Sequence, residues 1–114
     1  EDYGIDKATA VRLTAGLGGG VAKMKDVCGA YVGAAMLSGL EEGCVDPGNM
    51  EGKEHAYKVA KDLAMRFKEQ NGSTICAELR GVKPNPDVKE IIPCSVLVER
   101  AARIYAEYLN AKKA

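Results

Sequence analysis

Apolar positions recur at helical spacing along most of the chain, and sustained alternation of apolar and polar residues is almost absent. The clearest helical pattern lies between Lys53 and Asn71, where apolar residues recur at intervals of three, four and seven. Those positions are Ala56, Val59, Ala60, Leu63, Ala64 and Phe67. Charged residues occupy much of the remaining surface, and Asn71-Gly72 is typical of a helix end. This stretch predicts an amphipathic helix.

Four further helices are predicted from the same periodicity and from local start and stop signals. They span residues 6–15, 26–39, 73–80 and 93–112. A glycine-rich run at 16–20 follows the first helix, and a turn at 46–49 follows the second. We therefore predict an all-α fold, a bundle of four to five helices with a glycine-rich loop, in a single domain over residues 1–114.

The last helix carries two adjacent apolar stripes. The first consists of Leu97, Ala101, Ile104 and Tyr108, and the second of Val98, Ala102, Tyr105 and Leu109. So wide an apolar face is typical of a helix between two neighbours or against a second subunit. A homodimer through the last helix is therefore one expectation.

Charge and hydropathy exclude some function classes. The chain has 16 Lys and Arg against 16 Asp and Glu, so no basic excess points to nucleic acid. The longest uncharged run, residues 27–40, has 14 residues and is too short to span a bilayer. No signal-peptide pattern is present, which favours the cytoplasm. Because the first residue is Glu1, loss of a preceding segment is also considered.

Three of the four cysteines lie where a helix is predicted to begin. Cys28 comes two residues after an aspartate, Cys76 shortly after a Ser-Thr pair, and Cys94 directly after a proline. Asp, Ser and Thr favour the N-cap, and Pro favours the first helical position. Free backbone N–H groups and the helix dipole there stabilise a thiolate, the form that attacks electrophiles and binds metals. The placement predicts a sulfur chemistry that the three share.

The cysteine spacing leaves alternatives open. With 15, 31 and 17 residues between successive cysteines, the chain has no CxxC, and so neither a thioredoxin-type pair nor a zinc knuckle. No CxxCH for c-type haem is present either. Each cysteine could instead be a buried thiol that packs as a small hydrophobe, most of all Cys44, which lies in a predicted loop. A disulfide between two of them would stabilise the fold without any function.

Several glycines are predicted to border the sulfur site. Gly29 and Gly33 share a helix face, where each glycine costs about 1 kcal/mol relative to alanine. Close approach of another backbone, or room for a cofactor beside Cys28, would recover that cost. The run at 16–20 follows a helix and lacks the Gly-Lys-Ser/Thr of a phosphate loop. We expect a mobile or tightly turned loop in which Gly18, Gly19 and Gly20 lie near the sulfurs.

Three other polar residues have side chains capable of acid/base or metal chemistry. His55, the only histidine, is interpreted as exposed on its helix, with metal ligation or proton transfer as the alternative. Glu41 and Glu42 are interpreted as a solvated helix end and not as an acid/base pair.

Four segments in order along the chain resemble a known family. They are GLGGG at 16–20, CGAYVG at 28–33, GSTICAEL at 72–79, and Cys94 with its following helix. Together they are similar to the redox-active proteins named for the pattern C_GCAxxG_C_C, with a CGAxxG motif. The family is also similar to the C-terminal part of split-Soret cytochromes, where cysteines hold an iron–sulfur cluster.

The resemblance implies a helical protein that uses four cysteines in redox or metal chemistry. Carried over to this sequence, the implied functional residues are Cys28, Cys76 and Cys94. The family's first cysteine should precede the glycine run, and none is found there. Either a preceding segment is missing or Cys44 takes that place in space.

Two mechanisms and one different class of function follow. In the first mechanism a helix-start thiolate attacks a disulfide or oxidant, and a second cysteine resolves the intermediate. In the second, which we favour slightly, the thiolates bind an iron–sulfur cluster or zinc with a fourth ligand. That ligand would be Cys44, His55, the absent N-terminal cysteine or a sulfur of another subunit. Either mechanism describes an oxidoreductase or electron carrier with an unidentified redox partner protein. The other class is a non-catalytic helical dimerisation or interaction module with structural thiols.

Overall fold

A computed structural model describes residues 3–43 and 45–113 and contains five α-helices in that part of the chain. They are α1 (Lys7–Thr14), α2 (Gly29–Glu42), α3 (Met50–Asn71), α4 (Cys76–Leu79) and α5 (Cys94–Lys113). A 3₁₀ turn, Ala15–Leu17, extends α1. Within the described residues the chain forms no strand, only one isolated antiparallel bridge between Val27 and Ile75. The all-α prediction is confirmed. None of these helices has both the length and the apolar character needed to cross a bilayer.

Side-chain caps fix the starts of α1 and α3. The Asp6 carboxylate accepts a hydrogen bond of 2.6 Å from the Thr9 N–H group, and the Asn49 side chain accepts one of 2.9 Å from Gly52. At the other end of α3, Gly72 adopts the left-handed conformation with φ 93°. The predicted ends of these two helices therefore lie within a few residues of the observed ones.

The predicted start of α2 at residue 26 is wrong because tertiary pairing competes with the helix there. The backbone of residues 25–28 runs beside that of residues 74–77, and the Ala77 N–H group donates to the Lys25 carbonyl at 3.1 Å. This pairing holds Val27 in the bridge with Ile75, so α2 begins only at Gly29. The same pairing delays α4 to Cys76, three residues later than predicted.

The core lies where α2, α3, α4 and α5 meet. Its largest fully buried side chains are Phe67 and Leu63 from α3 and Leu79 from α4. The first stripe of α5 supplies Leu97, Ala101 and Ile104, all buried. The second stripe is divided, because Tyr105 is buried whereas Val98 is 57% exposed. The wide face of α5 is thus only partly covered within the chain, and its role in a dimer stays a prediction.

The end of α2 is tied to its neighbours by glutamates that the sequence placed in solvent. Glu42 accepts a hydrogen bond from the hydroxyl group of Tyr108 in α5. Its other carboxylate oxygen is bonded to His55 of α3 at 2.9 Å. Glu41 is bonded to Lys112 at 3.2 Å. The interpretation as a solvated helix end is therefore wrong, whereas His55 is exposed as predicted, with 54% of its side chain accessible.

The glycine run is tightly turned. Positive φ values begin at Gly19 and Gly20 and continue through Val21, Ala22, Lys23 and Lys25. A non-glycine residue in this region costs about 1–3 kcal/mol and persists only where its surroundings impose it. Here hydrogen bonds of 2.9 Å from Lys25 to Gly19 and from Asp26 to Gly20 close the turn. The turn leads the chain directly into the paired segment that precedes Cys28.

Candidate functional site

Three cysteines that are far apart in the sequence border one cavity of about 310 Å³. Cys28 is the N-cap of α2, Cys76 is the first residue of α4 and Cys94 is the first residue of α5. All three are free thiols. The predicted placement at helix starts is confirmed, and folding brings the three starts to the same cavity.

Backbone pairing positions Cys28 and Cys76. The Cys28 N–H group donates to the Thr74 carbonyl at 2.6 Å, and the Cys76 N–H group donates to the Asp26 carbonyl at 2.6 Å. Each cysteine therefore lies one residue beyond the Val27–Ile75 bridge and has its amide bonded to the opposite segment. Both side chains are buried, each with 6% exposed, whereas Cys94 is exposed.

The predicted glycines border the same cavity. Gly18, Gly19, Gly20 and Gly29 all line it, as does Gly33. A Cβ atom added to Gly20 would lie 2.5 Å from the Cβ atom of Cys76, and Gly20 also has φ +76°. The close approach to Cys76 therefore requires glycine at this position.

Gly29 and Gly33 share a helix face, but the structure gives a different reason for glycine at each position. A Cβ atom on Gly29 would clash with the carbonyl oxygen of Leu17, so the backbone of the loop approaches closely there. A Cβ atom on Gly33 would meet nothing within 4 Å, and Gly33 instead leaves open space on the cavity wall. Close approach of another backbone thus accounts for Gly29, and open space beside the cysteine cavity accounts for Gly33.

The electrostatics of Cys28 differ from the prediction. Burial raises the pKa of the Cys28 thiol; the N–H groups of Ala30 and Tyr31 lower it, and the neighbouring Cys76 and Cys94 raise it further. The effect of burial is larger than that of the helix start. The hydration free energy that a buried thiolate loses exceeds the stabilisation that it gains from two backbone N–H groups. The prediction of a stabilised thiolate is wrong for Cys28, which is held as a neutral thiol near neutral pH.

Arg80 is a residue of this cavity that sequence reasoning missed. It is the one charged side chain among the described residues that border the cavity, and its Nη1 atom donates to the Ile92 carbonyl at 2.9 Å. Arg80 follows Cys76 by four positions, a spacing that places two residues on the same side of a helix. That spacing was a usable signal in the sequence.

The geometry is accompanied by a match to a protein family. A family model described as "Putative redox-active protein (C_GCAxxG_C_C)" matches residues 1–108. The chain belongs to this family. Comparison with curated proteins and with solved structures gave no match. The resemblance seen in the sequence is thereby confirmed.

The metal ligands that the resemblance implies can be compared with the arrangement of donor atoms in the structure. Within residues 3–43 and 45–113, no three His, Cys, Asp or Glu side chains are grouped closely enough to hold a metal ion. Cys28, Cys76 and Cys94 border one cavity, and binding of zinc or an iron–sulfur cluster by these cysteines stays a prediction. His55 is bonded to Glu42, the last residue of α2, whereas Cys28 is the N-cap of that helix. Cys44 lies outside the described residues.

Proposed function

We propose that this protein is a small redox protein that carries out thiol–disulfide exchange through Cys28, Cys76 and Cys94. The observation that carries the proposal is the convergence of these three free thiols on one cavity. Membership of a redox-active family supports it. The reducing cytoplasm, where thiols remain free, is the compartment we propose.

Differences in exposure suggest an order of events. The exposed Cys94 thiolate attacks one sulfur of an organic disulfide, and the other sulfur leaves as a thiolate. A buried cysteine, Cys28 or Cys76, then attacks the Cys94 sulfur of the mixed disulfide and releases the second half of the substrate. Two protein thiols are oxidised to one disulfide, and the substrate is reduced to two thiols that take up the two protons. A redox partner protein would reduce the new disulfide again.

The test is a count of free thiols before and after treatment with oxidised glutathione. The reduced protein is expected to lose two thiols and two hydrogens of mass without retaining glutathione. The Cys94→Ser variant is expected to lose none, and the Cys44→Ser variant to behave as the parent protein. Retention of all thiols by the parent protein, or loss of exchange on Cys44→Ser, would contradict the assignment.

An iron–sulfur cluster or zinc held by the same thiols is the second candidate. The convergence of three cysteines on one cavity favours it, although no group of three donor side chains suited to a metal ion is found among the described residues. Anaerobically purified protein with charge-transfer absorption and stoichiometric iron, or with stoichiometric zinc, would favour this candidate over exchange.

The interaction module with structural thiols is tested by replacing Cys28, Cys76 and Cys94 together with serine. Unchanged oligomerisation and partner binding, in a protein whose parent shows neither exchange nor metal binding, would favour the module.

A further inference from the structure

A second, apolar cavity of about 570 Å³ lies beside the cysteine cavity. It is bordered by residues of α1, α2 and α5, Tyr105 among them. Four residues border both cavities: Thr14, Ala30, Gly33 and Val98. The two cavities are therefore adjoining parts of one cleft, which we call the thiol cleft, with a sulfur end and an apolar end.

The apolar end is built from side chains that the chain itself leaves uncovered. None of the residues of α1 is buried, although Val11 and Leu13 border the cavity and are 58% and 61% exposed. Met36 and Leu40 of α2 face the same space and are exposed as well. A monomer seldom exposes so continuous an apolar surface unless something binds there.

Charge distinguishes the two ends. Among the described residues that border the thiol cleft, Arg80 carries the only charged side chain, and it lies at the sulfur end. One of its nitrogens is engaged by the Ile92 carbonyl, and a guanidinium has five N–H donors in all. Donors therefore remain for an anion, and nearby apolar walls strengthen such a contact.

We propose that the thiol cleft binds a small amphiphile, with an anionic head at Arg80 beside the cysteines and an apolar body extending past Gly33. A medium-chain carboxylate has this chemistry. Cavities of about 310 and 570 Å³ fall within the range of roughly 300–1,000 Å³ typical of small-molecule sites. The proposal extends beyond thiol exchange, since binding requires no reaction at sulfur.

Gly33 lies where the two ends of the thiol cleft adjoin. It borders both cavities, and a side chain added there would enter open space. Gly39 lies on the same helix, is equally unobstructed and borders neither cavity. A leucine at Gly33 should therefore obstruct the ligand, whereas a leucine at Gly39 is the matched control.

The experiment is calorimetric titration of the full chain with decanoate and with 1-decanol. Decanoate is expected to bind with one site per chain, and Arg80→Gln to weaken decanoate about tenfold while leaving decanol unchanged. Gly33→Leu is expected to weaken both ligands, and Gly39→Leu neither. If Gly33→Leu fails to fold, Gly33→Ala takes its place, because it is a smaller change that helix propensity favours. It is expected to weaken both ligands as well.

Three results would overturn the proposal. One is the absence of saturable decanoate binding, and another is equal loss of both ligands on Arg80→Gln. The third is a dimer in sedimentation that binds no decanoate, which would assign the apolar end to a second copy. Decanoate binding is titrated on the reduced protein and thiol exchange is measured separately with oxidised glutathione, so failure of one is distinguishable from failure of the other.

Discussion

Cys28 and Cys94 both stand at the start of a long helix, yet one side chain is buried and the other exposed. A helix start lowers the pKa of a thiol only where the sulfur stays sufficiently hydrated. Otherwise the cost of burying the charged thiolate exceeds the stabilisation by backbone N–H groups. At Cys28 that condition fails, and burial raises the pKa. Exposure therefore separates two cysteines that look equivalent in the sequence.

Alkylation by iodoacetamide should distinguish these two thiols. Near neutral pH we expect Cys94 to react first, because it is accessible, and Cys28 to react slowly because it is buried and protonated. Because the pKa of Cys28 is raised from 9.0, its thiolate fraction is small near neutral pH, and its rate should still be increasing with pH above 9.0. Peptide mapping by mass spectrometry measures both rates, and equal rates at neutral pH would be inconsistent with the structure.

Gly20 should be the glycine of the run that tolerates substitution least. Gly20→Ala places a Cβ atom against Cys76 at a residue with positive φ, and we expect a loss of about 2 kcal/mol in the free energy of unfolding. Gly16→Ala is the control, since nothing lies within 4 Å of its added Cβ atom. Urea denaturation measures both, and similar stability of the two variants would refute the close contact.

Elements whose ends depend on local signals could be predicted, and those that depend on distant chain segments could not. Gly72 marks the end of α3 in the sequence as it does in the structure. The start of α2 was misplaced because residues 25–28 pair with residues 74–77, and neither segment alone encodes that contact. Local capping rules predict where an isolated helix would begin. Hydrogen bonds to a distant segment can hold the first of those residues in another conformation, so that the helix begins later.

The candidate site shows the same division. The three helix-start cysteines and the bordering glycines could be identified from spacing and resemblance. The apolar end of the thiol cleft was missed because it depends on how α1, α2 and α5 are arranged. Arg80 was missed although its spacing from Cys76 is a signal in the sequence. Burial, which sets the pKa of Cys28, is likewise a property of the assembled helices.

Ser73 is expected to anchor the short helix α4. Its buried Oγ atom accepts a hydrogen bond of 2.9 Å from Ile75 and donates one of 3.1 Å to Glu78. Ser73→Ala should therefore lower the free energy of unfolding by about 1–2 kcal/mol and speed alkylation of Cys76. Ser95→Ala, at an exposed position of α5, is the control. Chemical denaturation and peptide mapping provide the readouts, and a Ser73 variant matching its control would exclude the anchor.

For the whole molecule, the buried weak acids determine how stability responds to alkaline pH. Burial raises the pKa of Cys28, and it raises the pKa of Tyr31 and Tyr105 as well. Above the ordinary pKa of each group, the folded state holds more protons than the unfolded state. The free energy of unfolding therefore falls as pH rises.

We accordingly expect these groups to make a constant contribution to the free energy of unfolding below about pH 8. Above about pH 9 the protein should lose stability progressively, first from Cys28 and then from the tyrosines. Urea denaturation at a series of pH values measures the trend. Cys28→Ala should remove the earliest part of the decline, with Cys94→Ala as the exposed control. Stability that increased through this range would contradict the burial of these groups.

Main-chain hydrogen bonds, and not sulfur atoms, join the two segments that carry Cys28 and Cys76. Each of these bonds uses a backbone N–H group and a backbone carbonyl, and the side chains of Cys28 and Cys76 take no part in it. The main chain alone therefore sets how the two thiols are placed, so their placement is a property of the fold and needs no bond between the sulfurs.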